Sequence, residues 1–230
     1  MNVTGQADRP TAAEMIPGAV ALTSPGSWWG VPLLLLAAGG LCLMIDLPLA
    51  GWIKSENSPR LFAEALENCE PWGHGVGAGL AILGVWVLDP ARRALVPWLA
   101  AASLGAGLIS NCGKLIVSRV RPRDLDFHGQ PVWDTFTAWL PILTFERGGQ
   151  SFPSSHTTVA MGLSCFLAAM YPQGRWFFVL LTALVGLQRI QCSAHFPSDV
   201  CGGAALGWLV AQACITGAGM QRGKRDQNAA

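Results

Sequence analysis

Apolar residues gather in six blocks along the chain, at roughly 29–50, 73–88, 94–114, 156–171, 175–191 and 198–218, with polar or Pro- and Gly-containing stretches between them. A bilayer core takes about 20 apolar residues per helix, so each block is read as a membrane span. The pattern predicts an all-α polytopic membrane protein, a six-transmembrane-helix bundle over 28–218. Polar tails at 1–27 and 219–230 are expected to be mobile. Trp28, Trp29 and Trp52 bracket the first block and Trp72 opens the second, as interfacial aromatic belts do. Gly73, Gly77, Gly75 and Gly79 give small-xxx-small spacing, which suits close helix contact.

One connector is long. Between about 123 and 152, Trp133, Phe136, Trp139, Leu140 and Leu143 recur at helical spacing, which predicts a short helix lying on the lipid surface. Such a helix either guides a lipid tail or anchors the loop, and the spacing favours neither.

Composition removes several classes. Hydrophobic residues make up 51% and charged residues 13%, with ten tryptophans, and the mean hydropathy is +0.38. Too few polar residues remain to cover a soluble surface. A net charge of +1 offers no footprint for nucleic acid. No basic stretch stands just before the first apolar block, so that block reads as a retained span and not a cleaved signal. The seven cysteines are scattered singly without metal-ligand spacing and read as small apolar fillers.

Three polar clusters stand out against this background. Lys114, Arg121 and Pro122 form K-x6-R-P, Pro153 to His156 form P-S-S-H, and Arg189, His195 and Asp199 form R-x5-H-x3-D. Polar groups at the edge of a bilayer are costly unless they have a task. With six spans, all three clusters fall on one face of the membrane, which spacing alone does not require. The opposite face carries the termini with Arg9, Arg92, Arg93, Arg175, Arg222, Lys224 and Arg225. The cluster face keeps Lys54, Arg60, Arg119, Arg123 and Arg147 once the cluster cations are set aside. The positive-inside rule then puts the termini in the cytoplasm and the clusters outside.

Each cluster has a chemistry and an ordinary reading. Lys114 and Arg121 are two helical turns apart, so their side chains can converge on one anion. Read alone, they are two interfacial cations. The run Pro153-Ser154-Ser155-His156 precedes an apolar block, where a Ser-capped helix start offers free amides to a phosphate and His156 offers a proton. Read alone, it is an ordinary cap. Pro197 fits a first helical turn, so the last helix is expected to begin between His195 and Asp199, with the carboxylate reaching the imidazole. Read alone, these are polar residues satisfying one another. The conjunction of three clusters on one face carries the argument.

In order and spacing the clusters resemble the signature of the type 2 phosphatidic acid phosphatase superfamily, membrane lipid phosphatases related to vanadium haloperoxidases: K-x6-R-P, P-S-G-H, S-R-x5-H-x3-D. The resemblance spans about 114–199. It implies that His195 attacks phosphorus to form a phosphohistidine, that Asp199 orients it, and that His156 protonates the leaving oxygen. Lys114, Arg121, Ser154, Ser155 and Arg189 would hold the phosphoryl oxygens. Ser155 stands where the signature has glycine, and Gln188 where it has serine. The implied activity is hydrolysis of a lipid phosphate or pyrophosphate in the inner membrane of a bacterium, with the site on the periplasmic or outer face. A phosphotransferase using the same phosphohistidine and a non-enzymatic transporter are the alternatives.

No metal or other cofactor is expected. Phosphoryl transfer asks mainly for charge at the equatorial oxygens, which three cations can supply, and Asp124, Asp126 and Asp134 read as solvated loop acids. His74 and His128 match no motif.

Overall fold

The computed structural model describes residues 16–17, 25–55, 58–127, 129–141 and 149–229. The first apolar block forms helix α1 (Pro25–Lys54), 30 residues long and so about 45 Å at the α-helical rise. Only 17% of its apolar window is buried in protein, and Trp29 and Trp52 at its two ends are exposed. Asp46, in the last third of the helix, is fully buried, and Ala50 one turn on is buried too.

A short amphipathic helix, α2 (Arg60–Glu67), follows in what the sequence suggests is a plain loop. A 3-10 turn at Glu70–Trp72 then leads into α3 (Gly75–Leu88), capped by His74, whose Nδ1 accepts from the Val76 amide. The third block folds as α4 (Pro90–Gly113), which is irregular. It opens with a 3-10 segment, and five residues of π-helix at Ala101–Gly105 separate two α-helical stretches. At its start Asp89 pairs with Arg92 at 2.7 Å and accepts from Tyr171 Oη at 2.8 Å. The remaining helices are α5 (Ser155–Met170), α6 (Arg175–Gln191) and α7 (Pro197–Ala229).

Helices therefore occur at all six expected places. Among the described residues, three helices are long and apolar enough to cross a bilayer, namely Trp28–Lys54, Pro90–Gly113 and Pro197–Met220. A fourth span arises if Arg60–Trp72 and Gly75–Leu88, bent by 56° at their junction, are taken together. The expected count of six spans is thus met only as three or four by length and composition. The cause is first of all length: α5 is apolar but has 16 residues, and α6 has 17. Twelve residues of α5 are buried against protein. The last helix also runs through Ala229 and does not stop at 218.

α5 sits at the centre, packed by α4, α6 and α7. Where lipid surrounds a bundle, close packing and polar contacts replace the hydrophobic effect as the force between helices. Gly162 shows the first: a Cβ there would lie 1.9 Å from the Ala102 carbonyl oxygen, in the π-helical turn of α4. Ser164 shows the second, accepting from Trp72 Nε1 at 2.9 Å and from Thr182 Oγ1 at 2.7 Å. Phe166, Leu163, Leu99 and Met170 fill the space between them.

Two expectations fail between α4 and α5. The chain leaves helix at Gly113, and Val117–Arg119 form strand β1, so Lys114 and Arg121 do not share a helical face. The β-branched pair Ile116-Val117 favours extension. The predicted surface helix over 133–143 is a 3-10 turn at Val132–Thr135 followed by strand β2 (Phe136–Trp139), antiparallel to β1. Phe, Thr and Trp suit a pleated, half-buried surface, and strand pairing overrides the 3.6-residue spacing. The bundle thus carries a two-stranded sheet beside its helices. Leu143 and His128 lie outside the described residues.

Candidate active site

The helix starts and ends on one face of the bundle enclose a cavity of about 810 Å³. Six of the eight expected site residues line it: Lys114, Arg121, Ser155, His156, Arg189 and His195. Ser154 and Asp199 lie behind it, fully buried. The Ser154 hydroxyl bonds to Thr157 Oγ1 at 3.0 Å, so it is occupied within its own helix turn and does not face the cavity.

His195 is placed by a tight turn. α6 ends at Gln191, Ser193 takes a left-handed φ of 53°, and the amides of Ala194 and His195 both bond to the Arg189 carbonyl. Arg189 and His195 are therefore brought to one spot by the backbone itself. His195 Nδ1 lies 2.6 Å from the Ser151 carbonyl oxygen. A carbonyl only accepts, so Nδ1 carries the proton and Nε2 is the nitrogen with a free lone pair. Burial, then Arg121 and Lys114, hold the imidazole well below its usual pKa, against the pull of the Ser151 carbonyl. The ring is thereby kept neutral at pH 7, the state that the nucleophilic role implied by the signature would need.

α7 begins at Pro197, between His195 and Asp199, as expected. The expected direct bond between the two is absent, since Asp199 Oδ2 stands 3.9 Å from Nδ1. The carboxylate instead accepts from Ser151 Oγ at 2.6 Å, from the Phe196 amide at 2.9 Å and from Arg119 Nη1 at 2.5 Å. Asp199 and His195 thus grip the same residue, Ser151, by its hydroxyl and its carbonyl.

Arg119 is the centre of a sealed network that the sequence reading missed, having counted it as a surface charge. It is fully buried and sandwiched between the rings of Phe136 and Phe196, 4.5 and 4.2 Å from their centroids. Its three nitrogens reach Thr135, Ser198 and Asp199, and Asp46 at 2.7 Å. Asp46 also accepts from the Ser198 amide and hydroxyl. Asp46 is the only charged residue in the first apolar block, which was the available signal.

The other wall is more open. The imidazole of His156 is 27% exposed, and its Nε2 lies 3.4 Å from Glu70 Oε1. The same oxygen is 2.9 Å from Arg189 Nη2. Arg189 Nε is held by the side chain of Gln188, the residue that replaces serine in the signature. Ser155, which replaces glycine, donates to Asn111 Oδ1 at 2.9 Å and pairs with Ser110 Oγ at 3.0 Å. Lys114 is half-buried, and burial together with Arg121 lowers its pKa to about 8. Glu70 lies in a loop with three other glutamates, and nothing in the sequence singles it out.

Comparison with known proteins gives one family. A model described as the PAP2 superfamily matches residues 95–222. The lipid A 1-phosphatase of Rhizobium etli is 31% identical over 121 residues, 51% of this chain and 49% of that protein. The bacitracin transport permease protein BcrC of Bacillus licheniformis is 36% identical over 61 residues, 26% of this chain and 30% of that one. The match to lipid A 1-phosphatase thus spans about half the length of that relative. Among solved structures, the crystal structure of a transmembrane PAP2-type phosphatidylglycerolphosphate phosphatase from Bacillus subtilis superposes with a TM-score of 0.54 at 18% identity, over 84% of this chain and 94% of that one.

Proposed function

This chain belongs to the PAP2 superfamily, and from that premise we propose that it is an integral-membrane lipid phosphatase that works without a metal through a phosphohistidine on His195. One observation carries the reading. Lys114, Arg121 and Arg189 meet the imidazoles of His156 and His195 at one cavity, whose wall Arg123 and His74 also join, and His195 has its Nδ1 proton committed to a carbonyl.

The steps follow from that arrangement. A phosphoryl group enters with its oxygens toward Lys114, Arg121, Arg189 and the amides at the start of α5. The Nε2 lone pair of His195 attacks phosphorus, and the bond to the leaving oxygen breaks as His156 gives that oxygen a proton. Water then attacks phosphorus, the N–P bond breaks, and His156 takes up the proton that water releases. Asp199 stabilises the charge that develops on His195 through Ser151 and the nearby carboxylate field, and not through a direct bond.

The substrate is a lipid phosphate or pyrophosphate, held at the membrane face where the cavity opens. The charge pattern supports an outer-facing site. With Arg119 sealed in the interior, the cluster face keeps Lys54, Arg60, Arg123 and Arg147 against seven Lys and Arg on the other. The relatives named as phosphatases of lipid A and of phosphatidylglycerolphosphate support a lipid substrate.

The test is phosphate release by purified protein from a panel of lipid phosphates and pyrophosphates, in EDTA, beside His195→Ala. Release that persists in EDTA and vanishes in the variant supports the reading. Release that needs magnesium, or that His195→Ala retains, overturns it. Product formation that depends on an added alcohol would make the enzyme a transferase.

A further inference from the structure

We propose that Glu70 is the positioning residue of the proton donor: its carboxylate holds the proton on His156 Nε2, so that Nδ1 serves the leaving oxygen. The inference rests on the phosphatase reading and extends it to a residue outside the three clusters.

The geometry begins with how Glu70 is delivered. It opens the 3-10 turn Glu70–Trp72, and that turn is pinned at its C-terminal end. Trp72 donates its indole N–H to Ser164 in α5 and stacks on Phe178 of α6 at 6.1 Å. Gly73 presses against both helices. A Cβ there would lie 2.6 Å from the His156 carbonyl oxygen and 2.7 Å from Val185 Cγ1. A glycine is needed for that approach, and the approach sets Glu70 over the start of α5. A loop carboxylate is thereby held to a helix framework.

What it meets there is specific. Glu70 Oε1 is 3.4 Å from His156 Nε2 and 2.9 Å from Arg189 Nη2. His156 Nε2 is buried and has no hydrogen bond of its own, so Glu70 is the acceptor poised to take one. A carboxylate accepts and does not donate, which keeps a proton on Nε2 and leaves Nδ1 for the ligand. Arg189, Lys114 and His74 also face the ring, and the His74 ring centroid stands 5.7 Å away. A bound phosphate dianion offsets the two cations beside the ring, whose Nε2 faces the Glu70 carboxylate.

The step balances. Nδ1–H passes to the leaving oxygen as the P–O bond breaks, the ring becomes neutral with its remaining proton on Nε2 toward Glu70, and Nδ1 recovers a proton from the attacking water. Glu70 touches neither phosphorus nor the leaving group. Its 2.9 Å ion pair with Arg189 fixes the guanidinium that Gln188 holds from the other side.

The experiment compares Glu70→Gln, Glu70→Asp and wild type on two substrates in detergent: an alkyl lipid phosphate, whose leaving oxygen needs a proton, and p-nitrophenyl phosphate, whose leaving group does not. Glu70→Gln should lose about 10²-fold in kcat on the lipid phosphate and only a few-fold on the nitrophenyl ester, with KM changed little. Glu70→Asp should recover part of the loss. Equal losses on both substrates, or none on either, overturn the proposal. So does a lower KM and tighter inhibition by inorganic phosphate with kcat unchanged, which would make Glu70 a plug in the phosphate site. His195→Ala separates the two failures. If wild type turns over and His195→Ala does not, a failed Glu70 test removes Glu70 alone. If the two are equal, the phosphatase reading itself falls.

Discussion

His195 and His156 line the same cavity in unlike surroundings. His195 is 3% exposed and stands against a network drawn from α1, β1, the Thr135 turn, Ser151 and α7, all of it buried. His156 sits at the rim with a 27% exposed side chain, beside a carboxylate that is 37% exposed. The difference matches what the proposed mechanism asks of each imidazole. A nucleophile must point one lone pair at phosphorus, so its tautomer and ring plane have to be fixed from behind. A proton donor that is recharged by the attacking water must stay open to that water, so one side of it must stay wet. The sealed side should therefore couple activity to stability, and the open side should not.

The largest effects should fall on the sealed side. His195→Ala should abolish phosphate release with the fold intact, checked by gel filtration and circular dichroism. Asp199→Asn should cost up to about 10⁴-fold, as loss of an orienting carboxylate does in hydrolases with a charged triad. Next comes Arg119→Met, which leaves Asp46 and Asp199 buried without a cation. Breaking such a buried pair costs about 3–5 kcal/mol, so thermal unfolding in detergent should shift sharply downward together with activity. A stable, inactive Arg119→Met would break the link between sealing and stability.

How much of this was legible follows the same division. Helix positions were readable, because apolar blocks are long and Pro and Gly punctuate them. The span count was not, because α5 and α6 are only 16 and 17 residues long, and where a helix ends is set by caps and contacts that apolar blocks do not report. Six cavity residues were legible because the pattern fixes their spacing. The geometry joining Lys114 to Arg121 was misread, since strand pairing to Phe136–Trp139 is a long-range contact that local spacing does not report. Asp46 and Arg119 lie 73 residues apart. A lone acid in an apolar block signals a partner but does not say which. Glu70 had no signal at all, since its place comes from the contacts of Trp72 and Gly73.

On the open side the losses should be smaller and depend on substrate. His156→Ala should lose about 10²–10⁴-fold on lipid phosphates, the range of a general acid, and much less on p-nitrophenyl phosphate. Its thermal unfolding should match wild type. Equal losses on both substrates would place His156 with the phosphate ligands and erase the contrast between the two histidines.

A pH experiment probes the cation between the two sides. Lys114 is charged below about 8 and neutral above it, so phosphate binding should weaken as pH rises through that value. KM and the inhibition constant of inorganic phosphate should both climb several-fold between pH 7 and 9, because the loss of one cation removes one charge-assisted contact. Lys114→Arg keeps its charge over that range and should flatten the rise. An unchanged alkaline limb in Lys114→Arg would assign the weakening to another group.

The smallest effect is expected at Ser155, where the chain departs from the superfamily's glycine. Its hydroxyl bonds to Asn111 and Ser110 in α4, so the expectation is that it ties α5 to α4 more than it holds a phosphoryl oxygen. Ser155→Gly removes those bonds, worth about 1 kcal/mol each, and loosens the first turn of α5 by a further few tenths to about 1 kcal/mol. Unfolding should move down by a few degrees, while kcat and KM on a lipid phosphate stay within about 3-fold, since glycine keeps the same backbone amide at the helix start. A loss above about 30-fold without a matching loss of stability would put the hydroxyl on the phosphate. The open wall would then be as tightly built as the sealed one, and Ser155 would return to the ligand set that the signature implies.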